Sequence, residues 1–125
     1  MQYVTSERAP KAIGPYSQAV KANGFVFVSG QLPFDPATGQ IVDGSVEDQT
    51  LAVLRNIAAI LEAADSSVSK VVKTTVFVTD MANFQAINKV YSEFFGDHKP
   101  ARSLVEVSCL PRKEAMLEME VIAIQ

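Results

Sequence analysis

Arg102 and Glu118 are the two side chains of this sequence best suited by type and context to chemistry. They lie in two strand-like segments, residues 100–107 and 117–120. A guanidinium offers a fixed fork of N–H donors that matches a carboxylate and stays charged at physiological pH. A carboxylate in a partly closed cleft can accept a proton from water or return one to a leaving amine. The pair therefore suits a site that holds a substrate acid group and steers a water beside it.

Both residues also have a purely structural interpretation. Arg102 could form an interface or surface salt bridge with Glu106 or Glu120. Glu118 could be a salt-bridge or rim residue, because charge pairs are common on strands. Residue pattern alone leaves these alternatives open.

Four further residues are candidate ligand contacts. The segments Gly14-Pro15-Tyr16 and Ser29-Gly30 are turn-like and lie at strand ends, where a tyrosine hydroxyl and backbone N–H groups could reach a ligand. Glycine and proline are also routine in such turns, so a turn is the simpler interpretation. Asn88 lies between the apolar positions Ile87 and Tyr91 of a predicted helix, and it could bind a ligand or mark the edge of the apolar stripe.

Composition limits the class of protein. A chain of 125 residues with 48% hydrophobic and 20% charged residues predicts one domain, residues 1–125. The formal net charge of −3 gives no positive field for nucleic acid. No apolar run approaches the ~20 residues of a membrane span, and no signal or transit pattern is seen. The expected location is cytoplasmic, with a mitochondrial one left open for a eukaryotic source.

Cys109 and His98 are the only residues of their types. An intrachain disulfide is therefore impossible, and one subunit cannot build a Cys/His metal site. We interpret Cys109 as a small core residue on a strand, and His98 as a solvated loop residue. Acid or base chemistry must then come from carboxylates, tyrosines, lysines or water.

The apolar pattern predicts an α+β order of elements. Asn23-Gly24 suits a hairpin turn, and Ser45 followed by Asp48 resembles a helix N-cap. The predicted elements are strands 17–21 and 25–29, a helix from Ser45 to about residue 64, a strand 71–79, a helix between Asp80 and Gly96, and strands at about 101–109 and 116–124.

Two segments, residues 25–28 and 76–78, carry apolar groups on both faces of their strands. Two helices can cover only one face of a sheet. An uncovered apolar face would exceed what a soluble monomer usually exposes. The pattern therefore predicts an oligomer and allows for a site between its chains.

Five segments together resemble the reactive intermediate deaminase A family, also called the YjgF/YER057c/UK114 family. The resemblance runs in order from about residue 8 to the final strand, without large insertions. The segments are residues 13–18, 28–31, 72–78, 99–103 and 117–120. It implies a chorismate-mutase-like α+β subunit, with a mixed β-sheet and two helices packed on one face. It also implies a homotrimer with a central β-barrel and clefts at the subunit boundaries.

The resemblance further implies hydrolysis of 2-imino acids, such as 2-iminobutanoate and 2-iminopropanoate, to 2-keto acids and ammonia. An imine carbon is already electrophilic, so no covalent nucleophile, metal or cofactor is expected. Under this interpretation Arg102 binds the substrate carboxylate, and Glu118 orients and helps to deprotonate the attacking water. Tyr16, Ser29, Gly30 and Asn88 line the cleft.

The chain departs from the family pattern at Leu104, where many members have cysteine. The proposed chemistry does not need that thiol, but preference could shift toward apolar substrate side chains. Two other functions remain: a regulatory trimer that binds 2-keto acids without turnover, and an endoribonuclease or translation inhibitor. The acidic balance argues against the second.

Overall fold

A computed structural model describes residues 1–125, which form one six-stranded sheet, a two-stranded ribbon and two α-helices. The α+β order predicted from the sequence is confirmed. The elements are β1 (Gln2–Val4), β2 (Ala19–Ala22), β3 (Phe25–Gln31), β4 (Phe34–Asp35), β5 (Gln40–Ile41), α1 (Val46–Ala63), β6 (Val71–Val78), α2 (Phe84–Phe95), β7 (Ala101–Glu106) and β8 (Leu117–Ile124).

The large sheet is mixed and has the strand order β1-β2-β3-β8-β6-β7. All neighbouring pairs are antiparallel except β6 and β7, which run parallel and are joined through α2. Parallel neighbours need such a crossover, because a tight turn cannot connect them. Strand β7, which carries Arg102, is therefore at an edge of the sheet, with one side of its backbone unpaired in the protomer.

Local sequence signals fix the ends of several elements. Asn23 and Gly24 have φ values of 55° and 85°, as the hairpin turn between β2 and β3 requires. The Ser45 hydroxyl accepts the Asp48 N–H, and the Asp48 carboxylate accepts the Ser45 N–H, so a capping box starts α1. Gly96, at φ 62°, ends α2.

Both helices pack on one face of the sheet. The side chains of β8 that face them are almost fully buried, namely Leu117, Met119, Val121 and Ala123. The same core takes Val76 and Val78 from β6 and Ile57 and Ile60 from α1. The core therefore lies between the helices and this face.

The opposite face of the sheet has no helix over it. Phe25, Phe27, Val105 and Ile124 are 39–44% exposed in the protomer. The prediction that the helices cover only one face is confirmed. Burial of the other face against another subunit stays a prediction.

The structure corrects three details of the sequence-based interpretation. Strand β7 ends at Glu106, three residues earlier than predicted, so Cys109 lies outside it and is exposed rather than in the core. His98 is half-buried, and its Nε2 lies 2.7 Å from the carbonyl oxygen of Val71. Asp80, which the sequence places at the start of the second helix, instead caps a short 3-10 turn at residues 81–83, and α2 begins at Phe84.

The short strands β1, β4 and β5 were not predicted, because two or three residues are too few for a periodic pattern. No helix in the structure combines the length and the apolar character needed to cross a membrane.

Candidate active site

Arg102 projects from β7 onto α2. Its Nη1 donates a hydrogen bond to Oδ1 of Asn88 at 2.7 Å. The guanidinium carbon lies 4.8 Å from the centre of the Tyr91 ring and 5.9 Å from that of Phe84. Residues 84, 88 and 91 share one face of the helix, because they are spaced four and three apart. Helix α2 therefore surrounds the guanidinium with one amide and two rings.

The guanidinium of Arg102 borders an open groove of about 360 Å³. The other groove residues are Asn88, Tyr91, Ser92, Phe95, Gly96, His98, Lys99 and Pro100. None of them carries a carboxylate, and Arg102 forms no salt bridge in the protomer. Its positive charge is thus available to an anionic ligand, and the groove is large enough for a small one.

Glu118 is half-buried on β8, and its carboxylate lies against Gly30 of β3. A β-carbon on Gly30 would come within 2.7 Å of Oε1 of Glu118, so only glycine leaves room for the carboxylate in this position. Glu118 forms no salt bridge in the protomer, and its carboxylate is hydrogen-bonded to no other residue. The acid group is therefore free to contact water or a ligand.

Burial raises the pKa of the Glu118 carboxyl, and the negative charge of Glu120 raises it further. Both effects disfavour the ionised form. A carboxylate with a raised pKa is a better proton acceptor at neutral pH than an exposed one, because its pKa is closer to the working pH. Shifted pKa values of this kind are common at functional sites, although structural charge clusters also produce them.

Tyr16 and Gly30 line one small cleft. The Tyr16 side chain is 52% exposed, and its hydroxyl accepts the Ile13 N–H at 3.3 Å. The Ser29 hydroxyl donates to the Ser17 carbonyl at 2.6 Å, so it is engaged in holding the neighbouring segment. Tyr16 and Gly30 are joined in the lining by Pro10, Lys11, Ala12, Gln18, Gln31, Leu32 and Phe34.

Gln18 is a supporting residue of this cleft that the sequence pattern did not reveal. It is 4% exposed, and its Nε2 donates to the carbonyls of Ser6 and Pro10 at 3.1 and 2.7 Å. Its Oε1 accepts the Ser6 N–H at 2.5 Å. These bonds fasten the segment before Tyr16 to β2. The only signal in the sequence was a polar residue inside the predicted strand 17–21.

The six predicted site residues fall into two groups within one protomer. Arg102 pairs with Thr74 across β6 and β7, and Thr74 contacts α2, so Arg102 is on the helix-covered face. Glu118 pairs with Phe77, whereas its neighbour Met119 is buried under the helices, so Glu118 is on the opposite face. Asn88 is in the first group, because it accepts a hydrogen bond from Arg102. Gly30 contacts Glu118, and Tyr16 lines the same cleft as Gly30, so these residues form the second group together with Ser29, which precedes Gly30. The protomer alone does not bring Arg102 and Glu118 into one cavity.

Phe84, Thr74 and Tyr91 are neighbours of Arg102 that the sequence pattern presents as ordinary helix and strand positions. The sequence could have identified them as neighbours of Arg102 only if the register between β6 and β7 had been known. No group of three or more His, Cys, Asp or Glu side chains is arranged to hold a metal ion.

Comparison with known proteins gives consistent results across the whole chain. A family profile described as "Endoribonuclease L-PSP" matches residues 6–125. A RutC family protein of Pyrococcus horikoshii is 55% identical over 122 residues, which cover 98% of this chain and 96% of the relative. The Arabidopsis thaliana protein named "Reactive Intermediate Deaminase A, chloroplastic" is 48% identical over 122 residues, covering 98% of this chain and 65% of the relative.

Among solved structures, that of Escherichia coli TdcF with bound serine superposes with a TM-score of 0.94 at 45% identity. The alignment covers 100% of this chain and 99% of TdcF. The two proteins therefore share one fold over their full lengths.

Replacing Glu118 by Gln should stabilise the protein at neutral pH. The pKa of Glu118 is higher in the folded protein than in the unfolded chain. Ionisation of Glu118 therefore lowers the free energy of unfolding at pH values above the folded-state pKa. This loss of stability disappears as the pH falls below the pKa of the unfolded chain. Solvent screens this half-buried group, so we expect a gain in Tm of only about 2 °C at pH 7.5. The difference in Tm between Glu118→Gln and the wild-type protein is measured by thermal unfolding from pH 3.5 to 8, at equal protein concentration.

Glu114→Gln is the matched control, since that side chain lies outside both groups and is exposed. A Glu118→Gln gain in Tm that is the same at pH 3.5 and pH 7.5, or that the control reproduces, would contradict the role of the buried charge.

Proposed function

This chain belongs to the endoribonuclease L-PSP family, and on that basis we propose that it hydrolyses reactive 2-imino acids to 2-keto acids and ammonia. The proposed substrates are 2-iminobutanoate and 2-iminopropanoate, together with their enamine tautomers. The observation that carries the proposal is the guanidinium of Arg102, which lines a groove free of carboxylates and retains unused N–H donors. The deaminase name of the Arabidopsis relative supports the same reaction.

Arg102 would bind the carboxylate of the substrate. Two parallel N–H donors of a guanidinium match the two oxygens of a carboxylate in both distance and charge. The hydrogen bond to Asn88 uses one N–H and orients the group, which leaves the other donors for the ligand. We therefore assign Asn88 to the support of Arg102 as well as to the lining of the groove. The serine bound by TdcF, an amino acid, carries a carboxylate of the same kind.

Glu118 would bind the water that attacks the C=N carbon and accept its proton as the new C–O bond forms. For an imine protonated on nitrogen this step gives a carbinolamine, and Glu118 returns the proton to its amino group. The C–N bond then breaks and ammonia leaves, while the hydroxyl gives its remaining proton to Glu118 and becomes the carbonyl oxygen of the 2-keto acid. The raised pKa of Glu118 and its lack of a protein partner both favour this role. The backbone N–H of Gly30 and the hydroxyl of Tyr16 would line the same cavity.

We further propose that the complete site forms between two protomers of a homotrimer. Arg102 lies on an edge strand and on the helix-covered face, whereas Glu118 is on the other face of the same sheet. A neighbouring copy seated against the edge strand β7 could bring its own Tyr16, Gly30 and Glu118 to this Arg102. The exposed Phe25, Phe27 and Ile124 supply apolar surface for such an assembly, which would enclose a central barrel.

An endoribonuclease remains the second candidate, because the matching family carries that description. The net charge of −3 opposes it, since RNA binding depends on phosphate contacts from basic side chains. A trimer that binds 2-keto acids without turnover is the third. A cytoplasmic location stays a prediction.

The test of the reaction is a coupled assay in which threonine dehydratase releases 2-iminobutanoate and the appearance of 2-ketobutyrate is followed. We expect the protein to accelerate this step. Arg102→Ala should abolish the acceleration, and Arg102→Lys should retain about a tenth of it or less, because an ammonium cannot make the bidentate contact. Arg55→Ala, at an exposed position of α1, is the control.

Full activity of Arg102→Ala would refute the assigned role. No acceleration by the wild-type protein, with 2-ketobutyrate still binding in calorimetry, would favour the non-catalytic trimer. RNA cleavage that depends on Arg102, without imine hydrolysis, would favour the endoribonuclease.

Mixing two inactive variants tests whether the site is shared. Arg102→Ala and Glu118→Gln subunits, unfolded together and refolded at equal amounts, should regain about a quarter of wild-type activity. In a closed trimer three quarters of the particles are mixed, and each mixed particle holds one intact site of three. Light scattering first verifies that the refolded particles have the mass of a trimer, and the coupled assay then measures their activity.

Each variant refolded by itself is the control and should stay inactive. If the mixture is no more active than its parts, both residues act from the same protomer and the shared site is wrong.

A further inference from the structure

Tyr91 lies directly against the guanidinium of Arg102. The guanidinium carbon is 4.8 Å from the centre of the Tyr91 ring, closer than its 5.9 Å from Phe84. At this distance a cation is attracted to the face of an aromatic ring. We propose that Tyr91 is a positioning residue, which holds Arg102 in the orientation needed to bind the substrate carboxylate. The contact between Tyr91 and Arg102 is observed in the structure, whereas the effect of Tyr91 on substrate binding rests on the proposed function.

The Tyr91 ring is itself anchored to the strand next to Arg102. Its side chain is 9% exposed, and its hydroxyl lies 2.8 Å from Oγ1 of the fully buried Thr74. Thr74 is the residue of β6 that pairs with Arg102 of β7. Arg102 thus contacts the Tyr91 ring, the Tyr91 hydroxyl is hydrogen-bonded to Thr74, and Thr74 is the strand partner of Arg102. Movement of the ring would break a buried hydrogen bond, so the ring offers the guanidinium a fixed surface.

An aromatic face supports the cation without using its hydrogen-bond donors. Asn88 accepts one N–H of Arg102, and no carboxylate of the protomer takes another. A carboxylate in place of the ring would fix the arginine equally well, but it would compete with the substrate for the same donors. Support from a ring leaves the donors free and the positive charge uncompensated.

The phenol must stay neutral for this arrangement to work. Burial raises the pKa of Tyr91, and this effect outweighs the hydrogen bond from Thr74 and the positive charge of Arg102, which both lower it. A neutral phenol keeps its hydrogen bond to Thr74 at physiological pH. An ionised one would pair with the guanidinium and block it.

Three variants separate the ring from the hydroxyl. Tyr91→Leu removes the ring, Tyr91→Phe removes only the hydroxyl, and Thr74→Val removes the same hydrogen bond from its other end. Tyr3→Phe is the matched control, because Tyr3 is 73% exposed on β1 and distant in sequence from both groups.

The first measurement is the dissociation constant of 2-ketobutyrate in calorimetry, with KM and kcat from the coupled assay. We expect Tyr91→Leu to raise the dissociation constant and KM about tenfold, the size of a well-placed cation–aromatic contact. Tyr91→Phe and Thr74→Val should each raise them about threefold, and the double variant should be no worse than either. kcat should change less than KM, because the ring acts on binding through Arg102.

The second measurement does not depend on catalysis. The 15N relaxation of the Arg102 Nε–H group reports how rigid the side chain is, and the signal is assigned by its loss in Arg102→Lys. We expect the group to be ordered in the wild-type protein and in Tyr3→Phe, and mobile in Tyr91→Leu.

Equal order of Arg102 in the wild-type protein and Tyr91→Leu would overturn the inference and leave Tyr91 as a core residue only. The inference also fails if Tm falls in Tyr91→Leu while the dissociation constant does not change. If the wild-type protein neither hydrolyses imines nor binds 2-ketobutyrate, the proposed function fails, and the order of the Nε–H group still decides whether Tyr91 positions Arg102.

Discussion

The alternation of side chains across one sheet is the constraint on which the candidate site depends. Successive residues of a strand point to opposite faces, so burying Met119 under the helices turns Glu118 to the other side. The pairing of Arg102 with Thr74 turns the arginine toward α2 in the same way. A protomer with a well-packed core cannot place both groups on one face without shifting the register of a strand, which would expose the core. Within one protomer the two groups therefore lie on opposite faces of the sheet.

The positions of the elements were largely accessible from the sequence, because local chemistry determines them. Ser45 with Asp48 marked the start of α1, Asn23-Gly24 marked the hairpin, and Gly96 marked the end of α2. The relation between distant strands was not accessible. Alternation shows that two residues of one strand face opposite sides, but it does not give the register against the next strand. For this reason the sequence supported Arg102 and Glu118 as candidates yet did not show that they lie on different faces.

The differences between pattern and structure have the same origin. The alternating pattern of β7 continues in the sequence as far as Cys109, and it therefore predicts a core position for that residue. The pairing of β7 with β6 stops at Glu106, however, and Cys109 is exposed. Tyr91 fits the apolar pattern of α2, and only its contacts with Thr74 and Arg102 distinguish it from the other buried positions of the helix. Gln18 gives no periodic signal, since its importance lies in bonds to residues outside the sheet. Tertiary contacts, rather than local pattern, decide each of these cases.

The crossover of β6, α2 and β7, within residues 71–106, contains Arg102 together with its hydrogen-bond partner Asn88 and the two rings beside its guanidinium, Phe84 and Tyr91. Glu118 instead lies against Gly30 of β3, which is 88 positions earlier in the chain. Strand–helix–strand units of this kind form through comparatively short loops. The surroundings of the Arg102 guanidinium are therefore encoded in one contiguous stretch of the chain, whereas the position of Glu118 against Gly30 depends on the pairing of strands that are distant in sequence.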